Sequence, residues 1–349
     1  MMNKTKIFSY LLLTVFLLGG ISFFISQCKF KTNSGGESET PKPESQNSTP
    51  VSVPDFNADS AYVFTEKQVA FGPRIPGTPS QTKCAEWLTA KVKSYNAKVV
   101  VQDLKVELWN HEMVPCKNII ASFNPEQKKR ILLCAHWDTR PWSDRDSSYP
   151  KKSFDGADDG GSGVAVLLEI ARHLASQPTQ VGVDIVFLDV EDYGPPAWDP
   201  QSKNEEVNGY CLGTQQWANK PQVQDYRAYF GILLDMVGAK NATFPQEGVS
   251  LQYAPSVVQK VWDIARALGH SNYFVGEKSS GIIDDHNFVN TINGTPCIDI
   301  INMDRTSKTG FAKHWHTQQD NMSIIDRNTL NAVGQTLMQV IYSEPVEAG

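Results

Sequence analysis

The sequence predicts an α/β sandwich built on a largely parallel sheet. From about Asp59 onward, apolar runs of strand length alternate with segments of helical periodicity. The 349 residues, 40% hydrophobic and 20% charged, suffice for one large domain of ordinary globular composition. Most of the strand-like runs also deliver an acidic residue or a His at or just past their carboxyl ends, where open α/β sheets bind ligands.

The helical segments are Ser80–Tyr95, Gly163–Ser176, Pro255–Gly269 and Asp326–Glu344, with Asp326 placed to cap the last. The strands follow in order. RILLCA (Arg130–Ala135) leads into His136 and Asp138, and GVDIVFLDV (Gly182–Val190) leads into Glu191 and Asp192. FGILLDMVG (Phe230–Gly238) carries Asp235, and TPCIDIIN (Thr295–Asn302) precedes the HWHTQQDN stretch that holds His316.

The N-terminus has its own character. Lys4 and Lys6 precede the apolar run Ile7–Ser26, which reads as an export signal, and Cys28 closes ISQC in the manner of a bacterial lipoprotein box. An uncleaved membrane anchor is the alternative, since the run is nearly long enough to span a bilayer. Residues 29–54, rich in Ser, Thr, Pro, Gly and Glu, have little to bury and read as a flexible linker. The organisation expected is therefore 1–28 signal, 29–54 linker and 55–349 catalytic domain, exported to the periplasm or anchored to a membrane, with a monomer favoured. A net charge of −6 and the absence of a basic run argue against a nucleic-acid partner. The five cysteines after Cys28 are odd in number and lack zinc-finger spacing, which argues against a Cys-based metal site.

Between the first two strands lies FDGADDGGSG, whose adjacent aspartates could simply favour a helix N-terminus. Likewise, Glu191-Asp192 could be a solvated strand end. The combination points elsewhere. Zinc takes His nitrogen and carboxylate oxygen, and catalytic sites keep three protein ligands and one open position. Asp159, His316 and one carboxylate of the Glu191-Asp192 pair make such a set, while the other acid is free to move a proton. His136 and Asp235 could complete a second site sharing Asp159.

Taken together these stretches resemble the zinc-aminopeptidase-type fold, a three-layer sandwich around a mostly parallel mixed sheet. Within it they are most similar to the glutaminyl-peptide cyclotransferases, from about Phe71 to the end. LLDMVGAKNATF, IIDDHNF and WHTQQDN carry the likeness, with Trp198 shortly after the acidic pair. The resemblance implies one zinc held by Asp159, Asp192 and His316, and Glu191 as general base and acid. It also implies an acidic network at Asp235 and Asp284, pocket walls at Trp198 and Trp315, and peptides or proteins with N-terminal Gln as substrates. The chain departs from the animal enzymes at Asp192, where they carry Glu. The competing readings are a two-zinc aminopeptidase, for which every ligand position is occupied, and a surface lipoprotein using the fold only for binding.

Overall fold

In a computed structural model, residues 52–204 and 209–346 are described. The signal, nearly all of the linker and the Cys28 expectation lie outside them. Among the described residues no helix is long and apolar enough to cross a membrane.

The chain runs α1 (Ala58–Val69), α2 (Pro79–Ser94), β1 (Lys98–Glu107), β2 (Met113–Phe123), β3 (Arg130–His136), α3 (Gly161–Ser176) and β4 (Gly182–Leu188). It continues through α4 (Leu212–Asn219), β5 (Phe230–Asp235), β6 (Phe244–Gln246), α5 (Gly248–Tyr253), α6 (Pro255–Ala267) and β7 (Phe274–Lys278). It closes with α7 (Asp285–Phe288), β8 (Cys297–Ile301) and α8 (Arg327–Tyr342). The main sheet has the order β1-β2-β4-β3-β5-β8. Its β4, β3, β5 and β8 are mutually parallel, whereas β1 and β2 are added antiparallel at one edge.

Side chains alternate across each strand, and two cores result. Ile131, Leu133 and Ile185 pack with α2, α3, α6 and α8, while Leu132, Cys134 and Val186 pack on the other face with Trp217 of α4. The sheet is thus the middle of three layers, as predicted. Asp326 caps α8, its Oδ1 accepting from Asn328 and Thr329 N–H at 3.0 Å each.

One glycine decides where the site sits. At Gly163, in the first turn of α3, a Cβ would lie 2.5 Å from the Leu234 carbonyl oxygen and 3.0 Å from Ala135 Cβ. Only glycine lets the start of α3 approach β3 and β5 so closely, and that approach brings the preceding Asp159 over the strand ends.

Candidate active site

Every predicted metal or acid position lies at one edge of the sheet, beyond the carboxyl ends of the parallel strands. His136 ends β3, Glu191 and Asp192 follow β4, Asp235 ends β5, Asp284 caps α7 and His316 lies in the loop after β8. All of these but His136, together with Asp159, border a cavity of about 350 Å³ that is also lined by Tyr210, Ile282, Ile283, Ile301, Phe311 and Trp315. An apolar wall with a few convergent polar groups is the usual form of a small-ligand site.

Backbone N–H groups held by buried carboxylates fix the acidic residues. Asp138 accepts from the N–H of Glu191 at 3.1 Å and of Asp192 at 3.2 Å, so the HxD motif sets the acidic pair. Asp320 accepts from the N–H of Asp158 at 2.7 Å and of Asp159 at 3.2 Å. The two histidines of HWHTQQDN divide the work. His314 Nε2 lies 2.8 Å from Asp158 Oδ2 and anchors the loop, whereas His316 Nε2 faces Asp192 Oδ2 at 3.0 Å and Asp159 Oδ2 at 3.6 Å. Val190 and His316, at φ 53° and 54°, are left-handed. That conformation is rare for a β-branched residue and concentrates at functional sites.

Glu191 is half-buried and opens to the cavity. Burial pushes its carboxyl well above the usual range, Asp192, Asp284 and Asp285 push the same way, and His136 opposes them. Burial also raises Asp235 to about 6 and Asp284 to about 7. Repulsion couples the acidic group that the sequence placed beside Glu191: Asp235 raises Asp284, and Asp284 raises Glu191. Asp235 Oδ1 makes no hydrogen bond.

Trp315 stands where it was expected, stacked on His316 with ring centroids 3.8 Å apart. Trp198 does not line this cavity. It is 45% exposed on a surface loop and packs edge-on to Trp142 at 5.9 Å. Sequence reasoning missed Cys211, whose thiol donates to Glu191 Oε1 at 3.3 Å. It also missed the buried ion pair of Arg140 and Asp144, at 2.8 Å.

Asp285 adds a liability that can be measured. It is fully buried and held at about 7 by burial and by Asp284, with Thr214 Oγ1 donating to its Oδ1 at 2.5 Å. The unfolded chain releases this proton near the ordinary Asp value of about 3.9. Between there and about 7 the folded state binds the extra proton, so the Asp285 contribution to stability falls as pH rises. Asp285→Asn keeps the acceptor for Thr214 without the charge. It is expected to melt above the parent at about pH 8, with the gap narrowing toward acid pH in thermal scans. Equal melting at alkaline pH would show that Asp285 ionises freely.

Comparison with known proteins agrees with this geometry. The profile of peptidase family M28 matches residues 118–341. The chain belongs to that family. It is 24% identical over 296 residues to the glutaminyl-peptide cyclotransferase of Bos taurus, covering 78% of each chain. A glutaminyl cyclase structure from Tannerella forsythia is 49% identical, with 84% of this chain and all of that one covered and a TM-score of 0.81. A Zn-dependent exopeptidase structure from Parabacteroides distasonis gives 50%, 84%, 100% and 0.82. Within the family the chain groups with the glutaminyl cyclases.

These relatives imply zinc, and the donors present fit it. One atom each of Asp159, Asp192 and His316 lie within 4.8 Å of one another, all buried. Asp192 Oδ2 is a buried oxygen without a hydrogen bond although His316 Nε2 is 3.0 Å away, as suits an atom reserved for a cation. His136, Asp159 and Asp235 form a second such group.

Proposed function

We propose that the chain converts the N-terminal Gln of peptides and proteins to pyroglutamate with release of ammonia, using one zinc held by Asp159, Asp192 and His316. The observation that carries this reading is the division of the acidic pair after β4. Asp192 turns its free oxygen to Asp159 and His316, while Glu191 opens into the cavity with its carboxyl raised.

The substrate's own α-amine attacks its γ-carboxamide carbon, forming the ring C–N bond, and the amide nitrogen leaves as ammonia. The nucleophile is internal, so holding the Gln side chain curled supplies the proximity, and no activated water is needed. The apolar wall of Ile282, Ile301, Phe311 and Trp315 suits that role. The amine must attack as the neutral form, and its ordinary pKa is about 7.7–8. Glu191 takes the ammonium proton as the C–N bond forms and returns a proton to the departing nitrogen, a cycle favoured when its pKa lies near the working pH. Bound zinc would supply Lewis-acid polarisation of the γ-carbonyl.

A Gln-initiated peptide should release ammonia in a coupled assay, and its N-acetylated counterpart, with no free amine, should release none. Ammonia from both peptides would point to simple amide hydrolysis instead. Trp198→Ala should leave the melting temperature unchanged, because the residue is 45% exposed. Because Trp198 stands outside the cavity, the substitution should raise KM only for peptides long enough to reach past the N-terminal Gln, by roughly 2–10-fold, the equivalent of losing about 0.5–1.5 kcal/mol of aromatic contact. An unchanged KM would remove Trp198 from the substrate's path.

Export and attachment through Cys28 are also our reading, from the apolar run Ile7–Ser26 and the ISQC box. Metabolic labelling with a fatty acid, lost in Cys28→Ser, is the outcome expected.

A further inference from the structure

We propose that the Arg140–Asp144 ion pair is a positioning device that fixes the two side chains Asp192 and His316 and ties them to the loop carrying Trp198. The proposal rests on the zinc-dependent reading above. Arg140 is only 1% exposed, yet every direction of its guanidinium is used. Nε and Nη2 fork onto the two oxygens of Asp144 at 3.0 and 2.8 Å, and Nη1 donates to Asp192 Oδ1 at 2.9 Å. Asp144 Oδ1 in turn lies 3.3 Å from His316 Nδ1.

Each of the two ligand side chains therefore has one polar atom occupied by the pair and the other left over. The atoms left over, Asp192 Oδ2 and His316 Nε2, are the two that face each other at 3.0 Å. A carboxylate on the far nitrogen of a ligating His fixes its ring and tautomer, and such partners commonly set metal affinity. The pair is internally neutral, so it orients the donors without adding net charge to them.

The same two residues hold the loop. Asp144 Oδ2 accepts from Ala197 N–H at 2.8 Å, and Arg140 Nη2 donates to the Pro195 carbonyl at 3.3 Å. Arg140 also lies over the Trp142 ring at 5.6 Å, and Trp142 packs on Trp198 at 5.9 Å. A fork is required for this geometry, and a lysine ammonium cannot supply one.

The test is the zinc affinity of the full chain, by competition with a chromogenic chelator, for Arg140→Lys, Asp144→Asn and the double variant. Each single variant should bind zinc roughly 10–100-fold more weakly. The double variant should be little worse than either, because the pair acts as a unit. In each, kcat should recover at saturating zinc further than KM, since the loop stays released. Melting in excess chelator separates misfolding from lost affinity, and Asp144→Asn, nearly isosteric, decides the matter if Arg140→Lys does not fold. Zinc affinity equal to the parent in a variant that melts normally would overturn the proposal. Affinity is read without substrate, so the result stands apart from whether a peptide is cyclised.

Discussion

Glu191→Gln should lower kcat by roughly 10²–10⁴-fold, the usual worth of a positioned general base, while leaving zinc bound. The substitution keeps the side chain's shape and its contact with the Cys211 thiol, which now donates at 3.3 Å. In the proposed mechanism it removes the group that accepts the ammonium proton and delivers one to the leaving nitrogen. Both single-turnover and steady-state rates should fall together, because proton transfer belongs to the chemical step. The neighbouring Asp192, turned toward His316 at 3.0 Å, is untouched, so metal content should match the parent. A variant that loses zinc instead would move Glu191 into the ligand set and dismantle the division of labour between the two acids.

His316→Ala should be the most damaging single change for metal binding. It removes one of the three proposed donors, and the loss in zinc affinity should exceed the roughly 10–100-fold typical of losing an outer partner. Activity should vanish at ordinary zinc concentrations. His314, two residues away, is the control. Its Nε2 is bonded to Asp158 Oδ2 at 2.8 Å and faces no other donor of the cluster. His314→Ala should keep its zinc and lose activity only so far as the loop of Asp158 and Asp159 loosens. Equal zinc loss in both variants would mean that HWHTQQDN acts as a scaffold rather than through one ligand.

Much of this arrangement could be read from the sequence, for a topological reason. In parallel strands the carboxyl ends share one edge, so residues that follow strands meet there whatever their separation along the chain. That is why HxD, GADD, the acidic pair, Asp235 and His316 could be assembled without coordinates. The four strands read in advance match β3, β4, β5 and β8 closely, with β3 one residue longer and the other three trimmed by two or three residues.

The edge strands β1 and β2 were not read in advance. β1, KVVVQDLKVE, leaves most of its side chains at least partly exposed, so its apolar residues make no buried run. The Arg140–Asp144 pair escaped for a different reason. Arg140 meets Asp192 52 residues along the chain, a separation that no local pattern encodes. Cys211 meets Glu191 across 20 residues of chain, from a residue whose backbone is left-handed, φ 55°, and neither feature is legible in a local pattern. Trp198 was placed by its distance from the acidic pair, but the loop carries it outward to the surface, where Trp142 and Lys151 meet it.

His136, Asp159 and Asp235 also approach one another, with His136 Nε2 at 3.1 and 3.3 Å from the two carboxylates, so the number of metals bound is the point on which the mechanism turns. The most direct measurement is mass spectrometry of a Gln-initiated peptide after incubation with the purified chain, alongside zinc counted per chain on the same sample. The account predicts a product lighter by one ammonia, formed at about one zinc per chain. Release of the free N-terminal residue at about two metals per chain would contradict it and assign the site to an aminopeptidase.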